Sequence, residues 1–212
     1  MGITERKLRL KEELKDRILQ AAKSLFIEKG FEATSMRNIA ERVEISPTTI
    51  YLYYKDKNDI VYALHGEGFK LLGHQFKKLE SIADPFERFK AMAGIYIQFA
   101  LNHSDFYELM FVRKGPMDYV QENCSNENWV EGAQTYKLLY EIVVECQRSG
   151  YFTMAEPHTF SLLTWSMLHG MCMLKLHKHL DCLNANRELF ENADISKAEN
   201  ILLAFLNLIE KQ

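Results

Sequence analysis

The sequence is poor in residues that interrupt or cross-link a chain. Its 212 residues hold four prolines, Pro47, Pro85, Pro116 and Pro157. Proline breaks helix interiors, so the long intervals between these four leave room for long helices. The four cysteines, Cys124, Cys146, Cys172 and Cys182, form no C-x-x-C pair. That spacing excludes zinc-ribbon and thioredoxin-type motifs, and the thiols are expected to be reduced and mostly buried. Only Cys124, between Asn123 and Ser125, is expected to be exposed, in a loop. No run of about 18 apolar residues is present to span a bilayer. The N-terminal MGITERKLRLKEELK carries charges where a signal peptide needs an apolar stretch, so no export and a cytoplasmic location are expected.

Chemistry-bearing patterns are also missing. The seven histidines include no H-x-x-x-H or H-E-x-x-H, and His177 and His179 are two apart, which points them to different faces of a helix. No metal site and no cofactor are therefore expected. The chain has no G-x-S-x-G, no phosphate loop and no dinucleotide fingerprint, so no enzyme activity is expected.

Charge and periodicity are what the sequence does supply. Residues 1–57 hold twelve Lys/Arg against nine Asp/Glu, a net of +3, and residues 58–212 hold fourteen against twenty, a net of −6. A basic end on an acidic body fits a small nucleic-acid-binding head on a domain that does not bind it. Apolar residues recur with helical period. The stripes are Leu14, Ile18, Ala21, Ala22, Leu25 and Phe26; Phe86, Phe89, Ala93, Tyr96, Ile97 and Ala100; Trp129, Ala133, Tyr136, Tyr140, Val143 and Val144; Phe160, Leu163, Met167, Met171 and Leu174; and Ile201, Leu202, Phe205, Leu208 and Ile209. No stretch alternates as a strand does. About nine helices and no sheet are expected, with loops at 113–126 and 180–194.

The densest local code lies in TSMRNIAERVEISPTTIYLYYKDK, residues 34–57. Ser35 can cap a short helix running to Arg42, with Ile39, Ala40 and Val43 on one face and Ala40 small enough for close packing. Glu44-Ile45 makes a turn. Ser46 caps a second helix that Pro47 opens, a position where proline costs no hydrogen bond. Ile50 and Tyr54 face the core, leaving Thr48, Thr49, Tyr51 and Tyr53 outside. Two short helices joined this way form a helix-turn-helix.

Together with Ile18–Gly30 (ILQAAKSLFIEKG), Phe31, Thr34, IAERV at 39–43, Ser46, TIY at 49–51 and YKDK at 54–57, this stretch resembles the tetracycline-repressor (TetR) family of bacterial one-component regulators. The departure is Glu44, where the family commonly has glycine. A positive φ there would cost about 1 kcal/mol. Farther on, Trp165, His169 and Gly170 (W-x-x-x-H-G) and DFYELMF at 105–111 resemble the WHG-type C-terminal domain of these regulators.

The resemblance implies an all-α fold. An N-terminal three-helix helix-turn-helix domain (1–57) would bind double-stranded DNA, and a C-terminal helical domain (58–212) would sense a small-molecule inducer and form a homodimer. It implies a repressor and no membrane partner. The second helix, about 47–53, would enter the major groove. Ser46, Pro47, Thr48 and Thr49 would lie at its base-facing end, Tyr51, Tyr53 and Lys57 on phosphate, and Ser35 and Arg37 on the opposite backbone. Arg6, Lys7, Arg9 and Lys11 are either a flexible arm adding phosphate contacts or a solvated helix face. Candidate ligand residues are Tyr107, Met110, Tyr136, Trp165 and His169, drawn from a crowd of aromatics and methionines that core packing also explains. A helical enzyme or a non-DNA-binding adaptor is the alternative function.

Overall fold

The computed structural model describes residues 3–112, 129–153, 155–190 and 198–209. Among them are ten α-helices and no strand. They are α1 (Ile3–Lys29), α2 (Met36–Val43), α3 (Pro47–Ile50), α4 (Lys57–Phe76), α5 (Pro85–Asn102), α6 (Ser104–Phe111), α7 (Val130–Arg148), α8 (Pro157–Leu176), α9 (His179–Ala185) and α10 (Ala198–Ile209). Short 3-10 helices follow α4 (Lys77–Ser81) and α9 (Arg187–Phe190). The expected loop at 113–126, with Cys124, lies outside the described residues.

The chain divides into two compact units, Met1–Gly68 with Glu108–Trp129, and Phe69–Tyr107 with Val130–Gln212. The division falls inside α4, beyond the expected boundary at Lys57, because Ile60, Val61 and Leu64 on its first turns are buried side chains of the first unit.

In the first unit, which we call the head, α1 buries Ile18, Ala22, Leu25 and Phe26, as its stripe predicts. Gly30 ends it at φ 82°, a backbone conformation open to glycine, and its N–H bonds to the Phe26 carbonyl at 3.1 Å. Arg6, Lys7, Arg9 and Lys11 lie on α1 as exposed residues, with Arg9 paired to Glu13, so this segment is a solvated helix face and not an arm. Helix α2 packs on α1 and α3 on α2. The Arg17 guanidinium donates to the Val43 carbonyl, and the Arg42–Glu28 pair closes the α1–α2 edge.

In the second unit, the body, α5 packs on α7 and α8, and α8 on α9 and α10. The α5 stripe is buried throughout. Two other stripes are rotated from expectation. On α7 the buried set is Gly132, Leu139, Ile142, Val143 and Cys146, while Ala133 is exposed and Tyr136 and Tyr140 are half-buried. On α8 it is Phe160, Ser161, Thr164, Leu168, Met171 and Cys172, leaving Leu163 and Leu174 outside. Both helices touch partners on two sides, so one stripe does not describe them. On α10, Leu206 is buried and Leu208 is exposed. Of the expected loop at 180–194, residues 180–190 belong to α9 and a 3-10 turn, anchored by buried Leu180, and 191–194 lie outside the described residues. Among the described cysteines, Cys146 and Cys172 are buried and Cys182, on α9, is exposed.

Candidate nucleic-acid interface and aromatic cluster

The head builds its turn from caps. Ser35 is extended and accepts the Asn38 N–H at 3.1 Å, while the Asn38 side chain takes the Ser35 N–H, a reciprocal capping box. Helix α2 ends at Glu44, which is left-handed at φ 63° and ψ 41°. The Glu44 N–H bonds to the Glu41 carbonyl and the Ile45 N–H to the Ala40 carbonyl at 3.0 Å. This is the Schellman pattern with glutamate in the position that glycine usually takes. Ser46 then accepts the Thr49 N–H at 3.0 Å, and Pro47 opens α3.

Thr48 is exposed on the first turn of α3, next to Pro47 and Ser46, which are also exposed. The Thr49 hydroxyl is held 2.7 Å from the Ser46 hydroxyl, so it serves the cap. The regular helix stops at Ile50, short of the expected residue 53. Tight turns carry the chain onward, with the Leu52 N–H on Thr49 and the Tyr53 N–H on Ile50. Ile50 and Tyr54 are buried as expected, Tyr51 is exposed and Tyr53 half-buried. Arg37 is exposed and paired with Glu41 at 2.9 Å, a surface contact of small worth that leaves the guanidinium easy to divert.

Lys57 is held within the head. Its ammonium turns inward, donating to the carbonyls of Phe31 and Thr34, with the Glu32 carbonyl at 3.5 Å, and sits 4.1 Å from the Phe31 ring centroid. The loop between α1 and α2 presents its carbonyl oxygens to the start of α4, and Lys57 satisfies them. Its donors are engaged within the head, where the sequence suggested phosphate. Lys55 is the exposed cation nearby, passed over in the sequence, together with Leu52, whose exposure reaches 76%.

The body gathers polar aromatics. The Trp165 indole N–H donates to the Tyr96 hydroxyl at 3.1 Å, which lies 3.0 Å from the Tyr107 hydroxyl, which lies 2.7 Å from His169 Nδ1. Tyr96 and Tyr107 are buried, and that burial pushes both phenols well above their ordinary range. It also holds the His169 imidazole below its usual value and lifts the Cys172 thiol, a further partner of Tyr107, to about 12. Beside this chain, Tyr136 lies 6.3 Å from Trp165 between ring centroids and 3.2 Å from His158 Nδ1 through its hydroxyl, and Tyr140 stacks on His158 at 4.1 Å. Tyr107, Tyr136, Trp165 and His169 therefore come together. Met110 is buried but belongs to the first unit. Tyr96 is the member that the sequence reading left in the core stripe; a tyrosine on a buried face needs a partner for its hydroxyl, and that was the available signal. Among the described residues no group of three His, Cys, Asp or Glu side chains could hold a metal ion, and no helix is long and apolar enough to cross a membrane.

Residues 18–64 match the family model of bacterial regulatory proteins of the tetR family, and residues 89–193 that of the tetracyclin repressor-like C-terminal domain. The chain belongs to the TetR family. The two TetR matches take in the helix-turn-helix and the aromatic cluster respectively. Over 164 residues the chain is 23% identical to the uncharacterized HTH-type transcriptional regulator YuxN of Bacillus subtilis, covering 75% of this chain and 54% of YuxN. It spans about half the length, or less, of the curated relatives it matches. Among solved structures, the fatty acid degradation regulator FadR from Bacillus halodurans shares the fold at a TM-score of 0.68 and 17% identity, covering 91% of this chain and 94% of FadR. The TetR family transcriptional regulator PfmR from Thermus thermophilus does so at 0.60 and 21%, covering 91% and 96%.

Proposed function

We propose that this TetR chain is a homodimeric transcriptional repressor that binds a pseudo-palindromic operator in double-stranded DNA and is released by an apolar small molecule bound in the body. The observation that carries the DNA-binding part is the presentation of Ser46, Pro47 and Thr48, all exposed, at the start of α3 beyond a left-handed turn. That is the end of a recognition helix that meets base edges. Thr48 has its hydroxyl for a base edge and its methyl for thymine. Tyr51, Tyr53, Arg37 and Ser35 flank it as phosphate contacts, with Lys55 added and Lys57 supporting the loop from within.

Exposed leucines support the dimer. Leu162, Leu163 and Leu174 on α8 and Leu203 and Leu208 on α10 are each at least 44% exposed in the single chain. Pairing α8 and α10 with a second copy would cover them in a four-helix contact, and two heads would then address major grooves about 34–36 Å apart. The cluster of Tyr96, Tyr107, Tyr136, Trp165 and His169 supports the sensor: aromatic walls with a few polar groups suit a small molecule. Helix α4 begins in the head at Lys57 and continues into the body as far as Phe76, which gives the ligand a continuous element to bias. Relieving repression about 100-fold requires the ligand to favour the released state by about 2.7 kcal/mol.

The test is selection from a random duplex pool by the full chain, followed by sequencing. A two-fold symmetric motif whose binding weakens steeply with salt is expected. Thr48→Ala should alter the motif while leaving stability within about 0.5 kcal/mol. Selection of no motif would refute the operator assignment, and sedimentation as a monomer when bound to DNA would refute the dimer.

A further inference from the structure

Helix α1 outruns the core of the head. Its buried side chains begin at Ile18, and every residue from Thr4 to Glu13 is exposed. Among the described residues, about three turns of helix are thus covered by no other element. The charges on this overhang are sorted by side. At about 100° per residue, Lys7, Lys11 and Lys15 share one face, the same face that buries Ile18, Ala22, Leu25 and Phe26 farther along. Glu5, Glu12, Glu13 and Asp16 lie about 100° or more from Lys11. Arg9 lies among them, paired to Glu13. None of the three lysine ammonium groups has an ion pair or hydrogen bond among the described residues.

Two contacts fix where this lysine row begins. On one flank of α1 the Arg17 guanidinium donates to the Val43 carbonyl at 2.8 Å, just before the turn into α3. On the other flank, burial and the carboxylates of Asp59, Asp16, Glu67 and Glu12 raise the phenol of Tyr54, just beyond α3. The chain between Val43 and Tyr54 therefore crosses α1 at the level of residues 12–17, with Ile50 buried between. The row starts at that crossing with Lys15. It runs toward the N-terminus, reaching Lys11 after about 6 Å and Lys7 after about 12 Å. It lies on the side of α1 that carries α3.

A polyanion suits this row. One strand of duplex DNA carries a phosphate about every 3.4 Å of its axis, so a row of about 12 Å beside it meets about four. Flexible lysine stems need no closer register than that. The overhang has no carboxylate on the lysine face to neutralise the three charges.

We propose that Lys7, Lys11 and Lys15 form a phosphate-binding row that lies along one DNA strand beside the groove that α3 enters. The row rests on the operator reading above and deepens it: it adds salt-dependent affinity and no sequence preference.

The experiment is titration of the full chain at several salt concentrations, with its selected operator and with a random-sequence duplex of the same length. The variant carries Lys7→Gln, Lys11→Gln and Lys15→Gln together. Glutamine matches lysine in helix propensity and removes the charge. The slope of log affinity against log salt should flatten by about 0.9 per lysine, or about 2.7 per head, on both duplexes. The selected motif should stay the same. Arginine at all three positions should restore the parental slope. Arg6→Gln with Arg9→Gln, off the row, should leave the slope within about one contact of the parent. Single neutral methylphosphonate linkages, scanned along the operator, should weaken the parent at positions where they leave the glutamine variant unaffected. A parental slope in the glutamine variant, an equal flattening per charge in the Arg6 and Arg9 variant, or the same sensitive linkages in parent and glutamine variant would each overturn the proposal. A chain that selects no motif, yet loses slope on the random duplex through the glutamine changes, fails the operator reading and keeps the row. A selected motif with an unchanged slope fails the row alone.

Discussion

Head and body use their polar side chains in opposite ways. In the head they mostly bond to backbone nearby or close a loop. Ser35 and Ser46 cap helices within three residues, Thr34 bonds to the Gly30 and Leu25 carbonyls, and Arg17 and Lys57 take carbonyls at element ends. In the body the decisive bonds join side chain to side chain across long stretches of chain: Tyr96 to Tyr107, Tyr107 to His169, and Trp165 to Tyr96. The head's polar groups fix backbone shape, so that a few exposed residues are presented rigidly. The body's fix one another, so a ligand entering there has to replace an existing hydrogen bond or leave it intact.

Four measurements would break or sharpen that contrast. The largest effect belongs to Tyr107. Removing its ring in Tyr107→Ala should cost about 3–5 kcal/mol of stability. Tyr107→Phe, which leaves the Tyr96 hydroxyl and His169 without this partner, should cost about 1–3 kcal/mol in denaturant unfolding. A phenylalanine variant as stable as the parent would mean that the polar chain contributes nothing to the fold.

Next comes Lys57→Met in the head. Losing the carbonyl clamp should cost about 1–3 kcal/mol and weaken DNA binding to every sequence while the salt dependence keeps its slope. A slope flattened by about one contact would show the ammonium on phosphate instead. Glu44→Gly should go the other way, stabilising by about 1 kcal/mol because glycine carries no Cβ penalty at positive φ. Thermal melting reads this as a rise of about 2–4 °C for a chain of this size.

The smallest effect is the pH response of the body. Burial lowers the pKa of His169 from its ordinary 6.5. The unfolded chain then binds a proton that the folded chain refuses. The contribution of His169 to stability is therefore whole above pH 6.5 and is lost as pH falls below it toward the folded value. His169→Gln should fall less than the parent between about pH 7.5 and pH 5.5. Parallel stability curves would mean that His169 is solvated in the folded protein.

The same contrast explains what could be read from the sequence. Capping depends on neighbours three or four residues away, so Ser35, Ser46 and Pro47 announced their helices, and the departure at Glu44 pointed to the strained turn. Buried stripes were legible where a helix has one covered face, as on α1 and α5. They were misread on α7 and α8, whose two covered sides put Tyr136 and Leu163 at angles that one stripe cannot encode. The cluster members were legible as a crowd of aromatics. Their pairing was not, because bonds such as Tyr107 to His169 depend on tertiary approach and leave no local spacing. The inward bonds of Lys57 were not legible for the same reason: its carbonyl partners lie at Phe31 and Thr34, in a loop whose shape only the folded head supplies.

The clamp on Lys57 also makes the head a reporter of its own folding. Lys55 and Lys57 are two residues apart, yet Lys55 is exposed while the amine of Lys57 is occupied by carbonyl oxygens and covered by a phenyl ring. An acylating reagent needs an amine lone pair and room to approach. In the native protein it should modify Lys55 readily and Lys57 slowly, and the two rates should converge as the head opens. Peptide mass mapping of this short stretch would then follow the opening of the head residue by residue, with Lys55 as the internal standard.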